Sequence, residues 1–212
     1  MNMTSRMTLA ALVCAAFPAL SAHAVFINEF HYDNAGADTG EGVELAGQAG
    51  TDLAGYQILL YNGSNGTVYR SVTLKGTLGD QDNGFGTAFF DVGSLQNGGP
   101  DGMALLDAGG NVLQFLSYEG AFAATDGAAA GFLSQDVGVV QDGTDPAGLS
   151  LQLTGTGLGP GDFQWVLGAA SYGGVNADQV FDMAPVPLPA TFPAMVAATA
   201  ALGLVRRRRP AA

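Results

Sequence analysis

The residues best suited to chemistry lie in one stretch, His31-Tyr32-Asp33-Asn34-Ala35-Gly36-Ala37-Asp38-Thr39-Gly40-Glu41, with Glu44 just beyond it. Asp33, Asp38, Glu41 and Glu44 put carboxylate oxygens on a glycine-containing segment, and calcium takes about six to eight oxygen ligands from such flexible loops. They are therefore the calcium candidates, the one cofactor the sequence suggests. A solvated acidic turn in a very acidic protein accounts for the same residues, and both readings stay open. His31 is the one imidazole outside the first 24 residues, so any Ser-His-Asp triad has to use it. No nucleophile elbow accompanies it, because Gly148-Leu149-Ser150-Leu151-Gln152 departs from G-x-S-x-G at its last position. Zinc would lack His and Cys ligands, and no P-loop or dinucleotide fingerprint occurs. Glu29 and Glu44 are a conceivable glycosidase pair, but no aromatic platform surrounds them in the sequence. The inventory points away from an enzyme.

Both ends of the chain carry signals that other proteins act on. Arg6, the uncharged apolar run 7–20 and Ser21-Ala22-His23-Ala24 have the layout of a secretory signal peptide. Ala22 and Ala24 supply the A-x-A pattern read by signal peptidase, with cleavage expected after Ala24. The single cysteine, Cys14, falls inside this segment. The exported part then has neither disulfides nor a thiol nucleophile. At the other end, residues 183–205 carry no charge and are followed by Arg206, Arg207, Arg208 and Arg209. A helix over 188–205 would be about 27 Å long at ~1.5 Å per residue, close to the ~30 Å of a bilayer core. The four arginines would stay cytoplasmic. The expected location is thus the inner membrane, with the bulk of the chain facing the periplasm.

Charge narrows the partners. All 19 acidic residues lie between the two signals, opposed there only by Arg70 and Lys75, which leaves a formal charge of −17. Affinity for nucleic acid comes largely from basic residues neutralising phosphates, so no nucleic-acid partner is expected.

The elements that must position these residues read as strands. Residues 25–30, 42–46, 56–61, 68–74, 87–92, 102–106, 112–117, 137–140, 150–153 and 163–166 are short, rich in Val, Leu, Phe and Tyr, and bounded by Gly, Asp and Asn. Asn62-Gly63-Ser64-Asn65-Gly66 and Asp107-Ala108-Gly109-Gly110-Asn111 read as hairpin loops. Strands at such spacing predict an all-β sandwich. Phe163, Trp165 and Tyr172 are candidates for stacking on sugar, although aromatics on strands more often belong to a core. Residues 168–185 show no periodicity and read as a linker. The expected organisation is a signal peptide at 1–24, a sandwich at 25–167, the linker, and a motif, transmembrane helix and basic tail at 186–212.

Two resemblances sharpen this. Val186-Pro187-Leu188-Pro189-Ala190, followed by the apolar stretch and Arg206 to Arg209, resembles the VPLPA variant of the PEP-CTERM sorting signals of Gram-negative bacteria. It lacks a Pro-Glu-Pro triplet. The resemblance implies processing by an exosortase-type enzyme and transfer to the cell surface or medium. Val25-Phe26-Ile27-Asn28-Glu29-Phe30, Glu41-Gly42-Val43-Glu44-Leu45 and Asp52-Leu53-Ala54-Gly55-Tyr56 resemble the I-N-E, E-x-V-E and D-L-x-G-[WY] signatures of bacterial lamin-tail domains. That resemblance implies an immunoglobulin-like sandwich with no activity of its own, and it places Asn28, Glu29 and Glu44 in the fold signature. The function expected is a surface or matrix module for adhesion. The alternatives are a calcium-assisted module binding extracellular polysaccharide or a surface protein, or an accessory domain of a secreted nuclease system.

Overall fold

Short apolar runs punctuated by glycine and asparagine build two β-sheets in the computed structural model, which describes residues 25–182. The expected signal peptide, with Ala22 and Ala24, and the expected VPLPA motif, apolar span and Arg206 to Arg209 lie outside the described residues. Among the described residues no helix is long and apolar enough to cross a membrane.

In chain order the strands are β1 (Phe26–His31), β2 (Gly42–Gln48), β3 (Gln57–Asn62), β4 (Thr67–Thr73), β5 (Phe85–Phe90), β6 (Asp101–Leu106), β7 (Val112–Tyr118), β8 (Gln135–Asp136), β9 (Leu149–Gly157), β10 (Gln164–Ala169) and β11 (Gln179–Phe181), with a 3-10 turn at Pro160–Asp162. One sheet runs β10-β9-β1-β2-β5, with β11 added parallel to β9. The other runs β4-β3-β6-β7-β8. The described residues form an all-β sandwich.

The core between the sheets follows from strand alternation. Phe30, Val43, Leu45 and Leu151 of the first sheet meet Ile58, Leu60, Met103, Leu105 and Leu116 of the second, all buried. A bulge at Asn28 lets Ile27 pair with Leu45 and Glu29 pair with Glu44. The extra residue keeps Ile27 and Phe30 on the core side while turning Glu29 and His31 outward.

The outer faces are covered as well. Segment 119–134 lays Phe122, Ala124 and Ala129 over Leu59, Tyr61, Ala104 and Phe115 of the second sheet. Phe163 and Phe181 cover Phe26, Ala46 and Phe85 of the first. This explains why all six residues of β1 and of β6 are buried.

Two expectations, the strand at 137–140 and the linker, need correction, while the Asn62–Gly66 loop does close the β3–β4 hairpin. Residues 137–140 are not a strand: Asp136 Oδ1 accepts from Gly138 N at 3.1 Å, and Gly138 takes a φ of 75°, which turns the chain. Val137 and Val139 still pack on the core. In the Asn62–Gly66 loop only Gly66 takes a positive φ. Gly63 is needed for room instead, because a Cβ there would run into the Pro100 carbonyl oxygen. Up to Asp182 the expected linker is part of the fold: β10 reaches Ala169 and β11 pairs with β9, so residues 170–182 form a strap across the outside of the first sheet.

Candidate functional site

The strap exists because three polar residues of β1 and β2 hold it. Asn28, Glu29 and Glu44 are fully buried on the outer side of the first sheet. Glu29 accepts from Ser150 Oγ (2.5 Å), Ser171 N (2.8 Å) and Ser171 Oγ (2.9 Å). Glu44 accepts from Asn28 Nδ2 (3.0 Å) and Gly173 N (2.6 Å). Asn28 Oδ1 accepts from Gln179 Nε2 (2.7 Å) and Asn28 O from Asn176 Nδ2 (3.2 Å). The loop before β5 completes the clasp: Gln81 Nε2 donates to Gly173 O (3.0 Å), and Asn83 Nδ2 donates to Phe181 O (2.8 Å).

This arrangement has an electrostatic cost. Glu29 and Glu44 are direct cross-strand partners, and like charges so placed repel. Burial, reinforced by the Glu29 charge, pushes the Glu44 carboxyl up to about 7. Tyr172 packs on Phe89, with ring centroids 4.3 Å apart. Its buried hydroxyl has no hydrogen-bond partner. Burial, then the charges of Glu29, Glu44 and Glu41, push that phenol well above its usual range. The acid pair is brought together, but Ser171 to Gly173 sit on it, so no sugar ring reaches it. A glycosidase geometry is not formed.

His31 is equally occupied. Its Nε2 lies 3.1 Å from Asn34 Oδ1, an acceptor, so Nε2 carries hydrogen. Nδ1 then accepts from Gln141 Nε2 at 2.8 Å. Both ring nitrogens are thus engaged by buried amide side chains, those of Asn34 and Gln141.

The four calcium candidates are not gathered. Asp33 and Asp38 both accept from Asn97 Nδ2, at 3.3 and 2.9 Å. Asp38 Oδ1 also accepts from Asn34 N (3.1 Å), closing the loop on itself. Glu41 Oε1 accepts from Leu95 N (2.8 Å), and burial raises its pKa. Glu44 belongs to the strap clasp. Among the described residues no three Asp, Glu, His or Cys side chains converge as metal ligands.

Among the described residues two grooves stand out, and sequence reasoning found neither. One, of about 730 Å³, lies where the sheets part beside β7 and β10. Trp165 lines it, half-buried and edge-on to Phe30 at 5.3 Å, with Phe132 and Leu133 exposed at its rim. Of the aromatic candidates for sugar stacking, Phe163 is buried in the core beside Phe26 and Phe181, and Tyr172 is part of the strap, its ring packed on Phe89.

The second groove, of about 560 Å³, runs between β4, the start of the β3–β4 loop and residues 94–101. Asn62, Ser64, Tyr69, Arg70, Gln96 and Asp101 are among its lining residues. Asp101 Oδ1 ties its two walls by accepting from Gly63 N (2.9 Å). Burial raises the Asp101 carboxyl and holds the Tyr69 hydroxyl up to about 12, which keeps that phenol a donor. Asn-Gly and Gly-Gly-Pro steps signalled turns here, but only tertiary structure brings residues 62–70 against 94–101.

Compared with protein-family models, with curated proteins and with solved structures, the chain matches none. Its function has to be argued from the residues themselves.

Proposed function

We propose that this chain is a non-catalytic, exported interaction module that reaches the cell surface or extracellular matrix and adheres through its sandwich grooves. One observation carries the reading. The groups able to do acid–base chemistry, His31, Glu29 and Glu44, are buried with their hydrogen-bonding capacity spent on holding the fold. The open surfaces offer amides, hydroxyls, a guanidinium, aromatic rings and one carboxylate, Asp101, whose Oδ1 is held by Gly63 N; such a set is suited to recognition.

The terminal residues support the route. Ala22 and Ala24 offer signal peptidase its cleavage pattern, and Val186 to Ala190 with Arg206 to Arg209 offer an exosortase-type enzyme its motif, span and stop. The chain would sit briefly in the inner membrane, facing the periplasm, before release. A sandwich stable without disulfides suits that path. The lamin-tail type is the finer fold reading: Asn28 and Glu29 of I-N-E and Glu44 of E-x-V-E clasp the strap here, which gives those positions of such a signature a structural reason.

The test is retention of the purified full-length chain on extracellular matrix from the cells that make it, alongside assays for nuclease and glycosidase activity. Retention without hydrolysis is expected. Hydrolysis abolished by H31A or E29Q would overturn the non-catalytic reading.

A further inference from the structure

The second groove is unusual for a protein of this charge. Arg70 is one of two cations in a region of net charge −17, yet it lies in no ion pair among the described residues. Its guanidinium lies over Gly93, where a Cβ would collide with it; Gly93 takes a φ of 70°. A glycine there leaves room for the exposed guanidinium at the edge of the groove lined by residues 94–101.

Gln96 is held with equal care. Its backbone N donates to Tyr69 Oη (3.2 Å), and its backbone O accepts from Tyr118 Oη (2.6 Å). Two tyrosines, from β4 and β7, thus pin one residue. Its side-chain amide makes no hydrogen bond, and Oε1 is buried without a partner. An unpaired buried acceptor is unfavourable, and a small rotation of the amide would present it to a ligand donor.

We propose that this groove binds a neutral saccharide, with Arg70 and the Gln96 amide bonding adjacent hydroxyls. The inference rests on the interaction-module reading and names its site and ligand. Adjacent sugar hydroxyls both donate and accept. They match a wall that presents guanidinium donors, an amide of both kinds and the Asp101 carboxylate within one groove. The volume falls in the ~300–1,000 Å³ range of small-ligand sites. Leu95 and Pro100 are the only aliphatic lining residues, so the groove lacks the apolar pocket that a protein hot spot fills. Polyanions are disfavoured because one guanidinium stands against the field of 19 carboxylates.

The experiment is titration of the full-length chain with cellohexaose, maltohexaose and an oligouronate, by calorimetry and by saturation-transfer NMR. At least one neutral hexaose is expected to bind, with the oligouronate at least tenfold weaker. R70A and Q96A should each weaken binding about tenfold or more, and K75A, outside the groove, should leave it unchanged. Melting temperatures of all three variants separate lost binding from lost folding. No binding of either neutral hexaose, equal binding of the oligouronate, or indifference to R70A would each overturn the proposal. Matrix retention that survives R70A would sink the groove and leave the interaction module standing. Loss of retention in the unsubstituted chain would sink the wider reading as well.

Discussion

Glu44→Gln is the sharpest perturbation of the fold, because the structure fixes its sign and sets the scale of its effect. Glu44 is fully buried opposite Glu29, and its pKa stands at about 7 against an ordinary 4.5. The folded state therefore holds a proton that the unfolded chain has released. A raised folded pKa contributes stability that is complete below the unfolded value and is lost as pH rises through the folded value. The window runs from about pH 4.5 to about pH 7. At ~1.4 kcal/mol per pH unit, the ionised form at pH 8 lies about 3 kcal/mol below the protonated form in stability. Glutamine keeps the volume and one acceptor for Gly173 N while removing the charge next to Glu29. The assay is thermal unfolding of wild type and E44Q from pH 4.5 to 8. The difference between the two curves isolates this residue from Glu41 and Asp101, whose carboxyls are also raised. E44Q should gain on wild type as pH rises, by roughly 10 °C at pH 8 at ~2–4 °C per kcal/mol for a domain of this size. A constant difference across the range, or a wild type more stable at pH 8 than at pH 5 relative to E44Q, would refute the reasoning.

Other substitutions probe separate parts of the structure. Ser171→Ala removes a donor to the buried Glu29, and is expected to cost about 1–3 kcal/mol. Hydrogen exchange should accelerate across residues 170–182 before the rest, and unchanged strap protection would contradict the clasp. Phe30→Ala empties a fully buried position among Tyr32, Tyr118 and Trp165, and should cost about 3–5 kcal/mol in denaturant unfolding. Gly63→Ala forces a methyl onto the Pro100 carbonyl and should destabilise by about 1–3 kcal/mol. A neutral result there would mean that the β3–β4 loop is not seated against β6. EDTA should leave the melting temperature unchanged, since Asp33 and Asp38 are satisfied by Asn97; a fall restored by calcium would revive the acidic loop as a site.

The sandwich was legible wherever local chemistry carried the signal. Alternating apolar residues and turn residues marked ten strands, and nine of those segments overlap strands of the fold. Val137 and Val139 looked like the tenth, but Gly138 between them bends the chain while leaving both valines on the core. The strap was illegible for a different reason. Residues 170–178 have no period, and what fixes them is a set of hydrogen bonds to Glu29 and Glu44, more than a hundred residues away in the chain. A hint existed: acids inside β1 and β2, otherwise apolar segments, need buried partners. The acidic loop misled because composition shows oxygens without showing their partners, and Asn97 and the Leu95 backbone N–H come from a distant segment. The groove lined by Arg70 and Gln96 needs residues 62–70 beside 94–101, a contact that only the sheet order creates.

The central claim, export followed by sorting, is tested most directly by the intact mass of the chain from membranes and from culture medium, with both termini mapped. The account predicts a released form that starts at Val25 and ends near Pro187 to Ala190. A membrane-bound chain that keeps Arg206 to Arg209, with none released into the medium, would contradict it.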